Sequence, residues 1–395
     1  MATYVGIGNS RQVNSFQAGQ EAASKAVESM EHPAPDWVLV FASIRFDQEA
    51  LLKGIVSVTR KTPMIGCSTA GEIHPDAPAF RSVVVMAVRS DQLRVAAGLG
   101  TGISQNPRQA GRDLAEAVSQ ARLDNPHGLL MFPDGLTGNV AEVIRGTQDV
   151  LGLSFPIAGG AAADDFRFKT CTQYFNGQVH TDAVLGLLLA GSVSVGIGAR
   201  HGWQPLGRPK TVTRASSNVV HEVEGQPAVS LYETYFGKKP RTLKTEELAR
   251  ISTMYPLGFP VPEEEEYLLR NAIRVNRDGS LIFSGEVPEG SQVRLMMGSK
   301  AKALAAARWA AEQAKLGIGS RTPLFGLVFS CVSRAQLFGH DLKQEIALIQ
   351  RTLGTETPLI GFYDYGEQAP FAAAGFRGRS YLHNESVVVV AVSAA

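Results

Sequence analysis

Short, continuous apolar runs alternate with stretches of helical periodicity along most of the chain, the pattern of strands joined by helices. Residues 4–8 (YVGIG) read as a strand, 17–27 as a helix, 37–42 (WVLVFA) as a second strand and 48–58 as a second helix. A proline-led third strand at 63 and a further run at 82–88 (SVVVMAV) close the unit. The series then restarts. Residues 95–100 form a strand, and Gln109-Ala110-Gly111 repeats the Gln17-Ala18-Gly19 of the first helix. Residues 129–132, 141–150, the strand at Pro156 and the run 184–190 complete the second copy. A third copy is expected from 293–298 (VRLMMG), the alanine-rich helix 301–315, the strand 324–330, the helix 344–353, the strand at Pro358 and the run 386–392 (SVVVVAV). The pattern predicts an α/β protein of repeated βαβαβ units, each with an added strand, in mixed sheets flanked by helices.

Residues 200–290 do not fit the repeat. They hold two short β-like runs (211–214 and 219–223), a helix at 227–236 and a polar stretch. An acidic run at 263–266 reads as a solvated face or a helix start. The runs 273–276 and 281–284 flank Arg277-Asp278-Gly279, a hairpin signal. The domain boundary is placed near 225: residues 1–224 hold two repeats (1–90 and 91–200) plus a connection, and residues 225–395 hold the hairpin region and the third repeat.

One frame recurs in register at 63–72 (PMIGCSTAGE), 156–165 (PIAGGAAADD) and 358–367 (PLIGFYDYGE). Each copy is proline, two apolar residues, glycine, then small or aromatic residues and a carboxylate. Such a frame suits a buried strand followed by a tight turn. In open α/β sheets ligands sit beyond the carboxyl ends of the strands. The frame and the loops after each second strand therefore supply the candidate ligand-binding residues. These are Arg45, Cys67, Ser68, Thr69 and Glu72 in copy one, Asp134, Gly160, Asp164 and Asp165 in copy two, and Arg334, Tyr363, Tyr365 and Glu367 in copy three. Small residues make room, aromatics wall a pocket, and Arg45 or Arg334 offers a fork for a carboxylate. The competing reading is that the glycines allow close packing while the acids cap helices or pair with the arginines.

Composition narrows the choices. The chain has 395 residues, more than one core usually serves, and its net charge of +1 gives no footprint for nucleic acid or an anionic membrane. Its three cysteines (Cys67, Cys171, Cys331) lie far apart, which argues against a disulfide framework or a structural zinc site and favours the cytoplasm. The first residues lack a signal-peptide pattern. The uncharged stretch 183–199 is broken by Gly191-Ser192 and reads as two strands rather than a membrane span. Cys67 at a strand end is a conceivable thiol nucleophile, but no P-loop, G-x-S-x-G elbow or H-x-x-x-H pair is present. A non-enzymatic protein is the expectation.

The segments 66–72, 159–166 with Asn176-Gly177, and 201–207 (HGWQPLG) resemble the N-terminal FIST domain. Arg270-Asn271, Asp278-Gly279-Ser280, Glu289-Gly290, residues 295–298, 361–367 and His383-Asn384 resemble the C-terminal FIST domain. The resemblance implies a cytoplasmic sensory module of bacterial signal transduction that binds a small ligand such as an amino acid. Some relatives are similar to haem proteins that sense nitric oxide and act on a histidine kinase or a cyclic-di-GMP enzyme. His201, His180 and His383 lie in matching segments and are the haem-ligand candidates. The chain carries no kinase segment of its own, so the resemblance implies a separate signalling partner.

Overall fold

The helices of the first two copies begin where short polar side chains satisfy their open N–H groups. Asn14 caps Ser15–Ser29 and Asp47 caps Gln48–Thr59. The second copy repeats the device with Asn106 before Pro107–Ser119 and Asn139 before Val140–Leu151. The apolar runs become strands covered on both faces: Trp37–Ser43 is buried at every residue. This computed structural model describes all residues except 1, 33, 76–77, 238–242, 262–265 and 372–377. Residues 263–265 of the acidic run therefore lie outside the described residues. The chain divides into two compact units, one of Met1–Arg200, Ala306–Leu382 and Ser386–Ala395, the other of His201–Ala305 and His383–Glu385.

The first unit contains three sheets of one design. The first runs Thr3–Ser10, Val83–Ser90, Trp37–Ser43, Met64–Thr69, Gln173–Phe175, Gln178–His180. Its closing strand Val83–Ser90 is antiparallel to the strands on either side, and Trp37–Ser43 pairs parallel with Met64–Thr69. The second sheet runs Leu93–Thr101, Ala183–Gly191, Pro126–Pro133, Ile157–Gly160, Glu367–Pro370, Ser380–His383. The third runs Val193–Arg200, Val387–Ala394, Pro323–Cys331, Leu359–Asp364, Glu72–Ile73. Repeated βαβαβ units with an added strand in mixed sheets are thus the fold. The segment after each third strand crosses to another copy's sheet: copy one's joins the third, copy two's the first, and copy three's the second. The exchange is cyclic and ties the three copies together.

One expectation is corrected here. The third copy does not start at 293–298, most of which belongs to the strand Gln292–Met297 that pairs with Gln204–Ser216 in the second unit. Its first strand is Val193–Arg200, antiparallel to Val387–Ala394 as Thr3–Ser10 is to Val83–Ser90. The signal was in the sequence: Val195-Gly196-Ile197-Gly198 repeats Val5-Gly6-Ile7-Gly8. These glycines let a helix lie on the strand. A Cβ at Gly6 or Gly8 would come within 2.1 Å of the Ala26 or Ala22 carbonyl oxygen, and one at Gly196 or Gly198 within 2.0 Å of that of Ala314 or Ala310. The second unit therefore interrupts the third copy between its first strand and its helix Lys300–Gly317. The compact units divide the chain at 200/201 and 305/306.

The inner faces of the three sheets share one core. At its centre the same position of each second strand is phenylalanine, with ring centroids 5.5 Å apart for Phe41–Phe132, 5.8 Å for Phe132–Phe329 and 6.4 Å for Phe41–Phe329. Phe362 packs on all three.

The second unit is built on an eight-stranded sheet that includes the long strand Gln204–Ser216 and the hairpin of Ala272–Val275 with Leu281–Phe283. Helices Val229–Tyr235 and Thr245–Met254 accompany it. The second helix falls in the stretch read as polar. Among the described residues no helix is long and apolar enough to cross a membrane.

Candidate functional site

The glycine of each repeated frame packs under a neighbouring strand: a Cβ at Gly66, Gly159 or Gly361 would fall 1.8, 2.0 or 1.8 Å from the carbonyl oxygen of Val40, Met131 or Val328. Any side chain there would force the parallel pair apart, so this glycine is a packing requirement. Side chains two residues further along a strand return to the same face. Beyond the phenylalanine layer the inner face therefore carries Ser43 opposite Thr69, Asp134 opposite Ala162, and Cys331 opposite Asp364. An aromatic layer is thus topped, at the carboxyl ends of the parallel strands, by a polar layer that differs in each copy.

The carboxylates of the frame divide into two jobs. Glu72 is fully buried, and accepts hydrogen bonds from Thr69 Oγ1, from the Ser82 amide (3.0 Å) and from Ser82 Oγ. Glu367 is equally buried and accepts from the Ser386 amide at 3.1 Å. Ser82 and Ser386 open the two nearly identical closing runs, so these acids fasten the turn to the closing strand. Asp165 is different. It accepts from Ser43 Oγ at 2.6 Å and lies 3.4 Å from Arg45 Nε, linking copy two to copy one.

The other expected residues are placed as follows. Cys67 is fully buried on the inner face, its thiol raised far up by burial and then by the charge of Asp364. The thought of an exposed thiol at this strand end is corrected, since the residue faces the core and is no ready nucleophile. Ser68 Oγ donates to the Ala163 carbonyl and accepts from the Thr172 amide. Asp134 accepts from the amides of Leu136, Thr137 and Asp182. Asp164 accepts from the amides of Phe168, Lys169 and Thr170, and from the Tyr365 hydroxyl at 2.7 Å. Phe168, not anticipated from sequence, stacks on Tyr365 with centroids 4.9 Å apart. Tyr363 is buried, with Phe80 stacked beside it. Arg334 is buried and spends its fork on Glu345, so it is not open to a ligand carboxylate. Two clefts, of about 600 and 360 Å³, are lined by other residues, such as His127 and Phe155 in one and Lys244 and Arg277 in the other.

Burial dominates the electrostatics. It pushes Glu72 up to about 8 against the hydrogen bonds of Ser82 and Thr69. The folded value thus exceeds the ordinary 4.5, and the folded state holds the extra proton. The resulting stabilisation is fully present below the unfolded value and is lost as pH rises toward 8, at up to about 1.4 kcal/mol per pH unit. Glu72→Gln keeps a neutral amide in place. Its unfolding midpoint, compared with that of the unmodified protein, is expected to gain steadily from about pH 5 to about pH 8. A constant difference across thermal melts in that range would contradict the assignment. Burial likewise raises Asp364 to about 7, and burial followed by the charge of Asp364 raises Glu367 well above the usual range.

A haem, which the resemblance implies for some relatives, needs an imidazole nitrogen facing a cavity. His201 has both nitrogens engaged: Nδ1 accepts from the Trp203 amide at 2.8 Å, and Nε2 lies 2.5 Å from Glu266. His180 packs edge-on against Phe175, and His383 is buried. None of the three lines either cleft. His180 Nε2 is buried without a hydrogen-bond partner among the described residues, whereas His201 is committed to Trp203 and Glu266.

By architecture the chain is a threefold-repeated α/β protein with a second, β-rich unit inserted into its last repeat. The sequence matches the FIST N domain over residues 36–226 and the FIST C domain over residues 228–370, and the chain belongs to the FIST family. That family is consistent with a sensory role. The chain is 26% identical over 401 residues to uncharacterized protein Rv0628c of Mycobacterium tuberculosis, covering 96% of this chain and 97% of that one. It is also 26% identical over 282 residues to uncharacterized protein MJ1623 of Methanocaldococcus jannaschii, covering 66% of this chain and 54% of that one, so the match spans about half the length of that relative. Among solved structures, cyanuric acid hydrolase from A. caulinodans aligns over 100% of this chain and 99% of its own, with a TM-score of 0.37 and 7% identity. A chorismatase aligns over 100% of this chain and 98% of its own, with a TM-score of 0.37 and 9% identity. Likeness at that level carries nothing about chemistry.

Proposed function

We propose that the protein is a non-enzymatic sensor of a small polar ligand, an amino acid being the class the residues favour, and that it signals through a separate protein such as a histidine kinase or a cyclic-di-GMP enzyme. The observation that carries this reading is the loop beside the polar layer. Asp165, Phe166 and Phe168 adopt φ values of 55, 62 and 51°, a left-handed region costly for side chains of this size. Asp164 holds the loop by accepting from three successive amides and from Tyr365. Strain kept in place by its surroundings is a mark of functional loops. Along this rim Arg45 offers a half-exposed guanidinium for a carboxylate, Asp165 offers an acceptor for an ammonium group, and Phe168 presents an exposed ring. Cys67, sealed in the core, is left out of any chemistry.

A panel of amino acids is to be screened by thermal shift, because a ligand selective for the folded state raises the apparent midpoint. At least one is expected to bind. Arg45→Ala is expected to weaken that binding by about tenfold or more, as loss of a charge-assisted hydrogen bond does. The midpoint without ligand should stay close to that of the unmodified protein, since the Arg45–Asp165 pair is partly exposed. A panel without any shift, or unchanged affinity in Arg45→Ala, would sink the proposal.

A further inference from the structure

We infer that Cys331, Asp364 and Glu367 form a buried site for a divalent transition-metal ion of the zinc or cobalt class. The parallel pairing of Pro323–Cys331 with Leu359–Asp364 puts Cys331 directly opposite Asp364, and the turn brings Glu367 back to them. One donor atom from each residue, the Cys331 sulfur and a carboxylate oxygen of each acid, lies within 4.8 Å of the other two. All three residues are 3% exposed or less. A tetrahedral zinc site with ordinary bond lengths needs donors roughly 3.3–3.8 Å apart, a small contraction from this arrangement.

The orientation of the carboxylates argues for a ligand beyond their mere proximity. Each has one oxygen fixed by a backbone amide: Asp364 Oδ1 accepts from Gly366 at 3.0 Å, and Glu367 Oε2 from Ser386 at 3.1 Å. The remaining oxygens, Asp364 Oδ2 and Glu367 Oε1, are buried without a hydrogen-bond donor from any other described residue, and the two carboxyls lie beside each other. Outer partners that fasten one oxygen and leave the other for the metal are the usual support of such sites. The space beside Asp364 Oδ2 is kept by Gly160, where a Cβ would come within 2.6 Å of that oxygen. The corresponding positions of the other two copies carry Cys67 and Phe362. A thiolate with two carboxylates suits zinc or cobalt better than magnesium or calcium, which take oxygen sets. The sequence shows no ligand spacing because strand register, not a local motif, brings the donors together. The site is distinct from the Arg45 rim and does not depend on the amino-acid reading.

Because the donors are buried, the full chain is to be refolded from denaturant with Co²⁺ or Zn²⁺, then freed of excess metal and assayed for bound metal. The expected result is about one equivalent per chain. A thiolate-to-cobalt charge-transfer band should be absent in Cys331→Ser and retained in Cys67→Ser and Cys171→Ser. Asp364→Asn should lower cobalt affinity by about tenfold or more. If Cys331→Ser does not refold, the unfolding midpoint of the unmodified protein with zinc against chelator gives a separate reading, and it should rise with zinc. Refolded protein without bound metal, or a band that survives in Cys331→Ser, overturns the site. The two acids would then be a buried pair sharing one proton.

Discussion

Arg334→Ala is expected to lower the unfolding free energy by about 3–5 kcal/mol, the cost of leaving one member of a buried ion pair alone. Arg334 and Glu345 both have fully buried side chains, and the guanidinium donates from Nε and Nη2 to Glu345 Oε1. Glu345 Oε2 accepts from Ser330 Oγ at 3.1 Å, so the carboxylate has little other support once the arginine is gone. Replacing both partners, as Arg334→Met with Glu345→Leu, is expected to recover most of the loss, because an apolar pair does not carry the desolvation cost of two charges. Urea denaturation of the single and double variants reads both numbers. A single variant within about 1 kcal/mol of the unmodified protein would place the pair among exposed bridges, contrary to its burial.

Phe41→Ala is expected to cost a similar amount, about 3–5 kcal/mol, by removing a ring from the centre of the first unit. Phe41 touches Phe132, Phe329 and Phe362, its nearest centroid lying 4.6 Å away, so the cavity opens on all three copies at once. Rings from three different sheets cannot collapse into it without moving those sheets, which is the condition for a large cavity term. Phe41→Leu keeps much of the volume and is expected to lose less than half as much. Equal losses in the two variants, measured by the same urea titration, would show that ring contacts rather than filled volume hold the centre.

The repeat was legible because the same physical demand recurs three times. A glycine under a neighbouring strand and an apolar run between two layers leave the same trace wherever they occur, so Pro63, Pro156 and Pro358 could be aligned by eye. The closing strands could be found in the same way, and the serines that open two of them hold Glu72 and Glu367. The insertion hid the third first strand, since 293–298 was the nearest apolar run before the alanine-rich helix. Only the match of Val195–Gly198 to Val5–Gly8 would have revealed it. The candidate site was legible as a region and not as a set of roles. Arg45 and Arg334 occupy similar loops, yet one pairs with Asp165 at the rim and the other is sealed against Glu345. No local pattern distinguishes them.

The sequence by itself determined the elements, the threefold frame and the carboxylates at its turns, because periodicity and steric need are local properties. Only the tertiary structure decided that the turns are exchanged among three sheets, that Phe41, Phe132 and Phe329 meet at one centre, and that Cys331, Asp364 and Glu367 stand together. Those outcomes depend on strand register and on which sheet a returning segment joins. Both are set by the packing of inner faces that lie hundreds of residues apart in the chain.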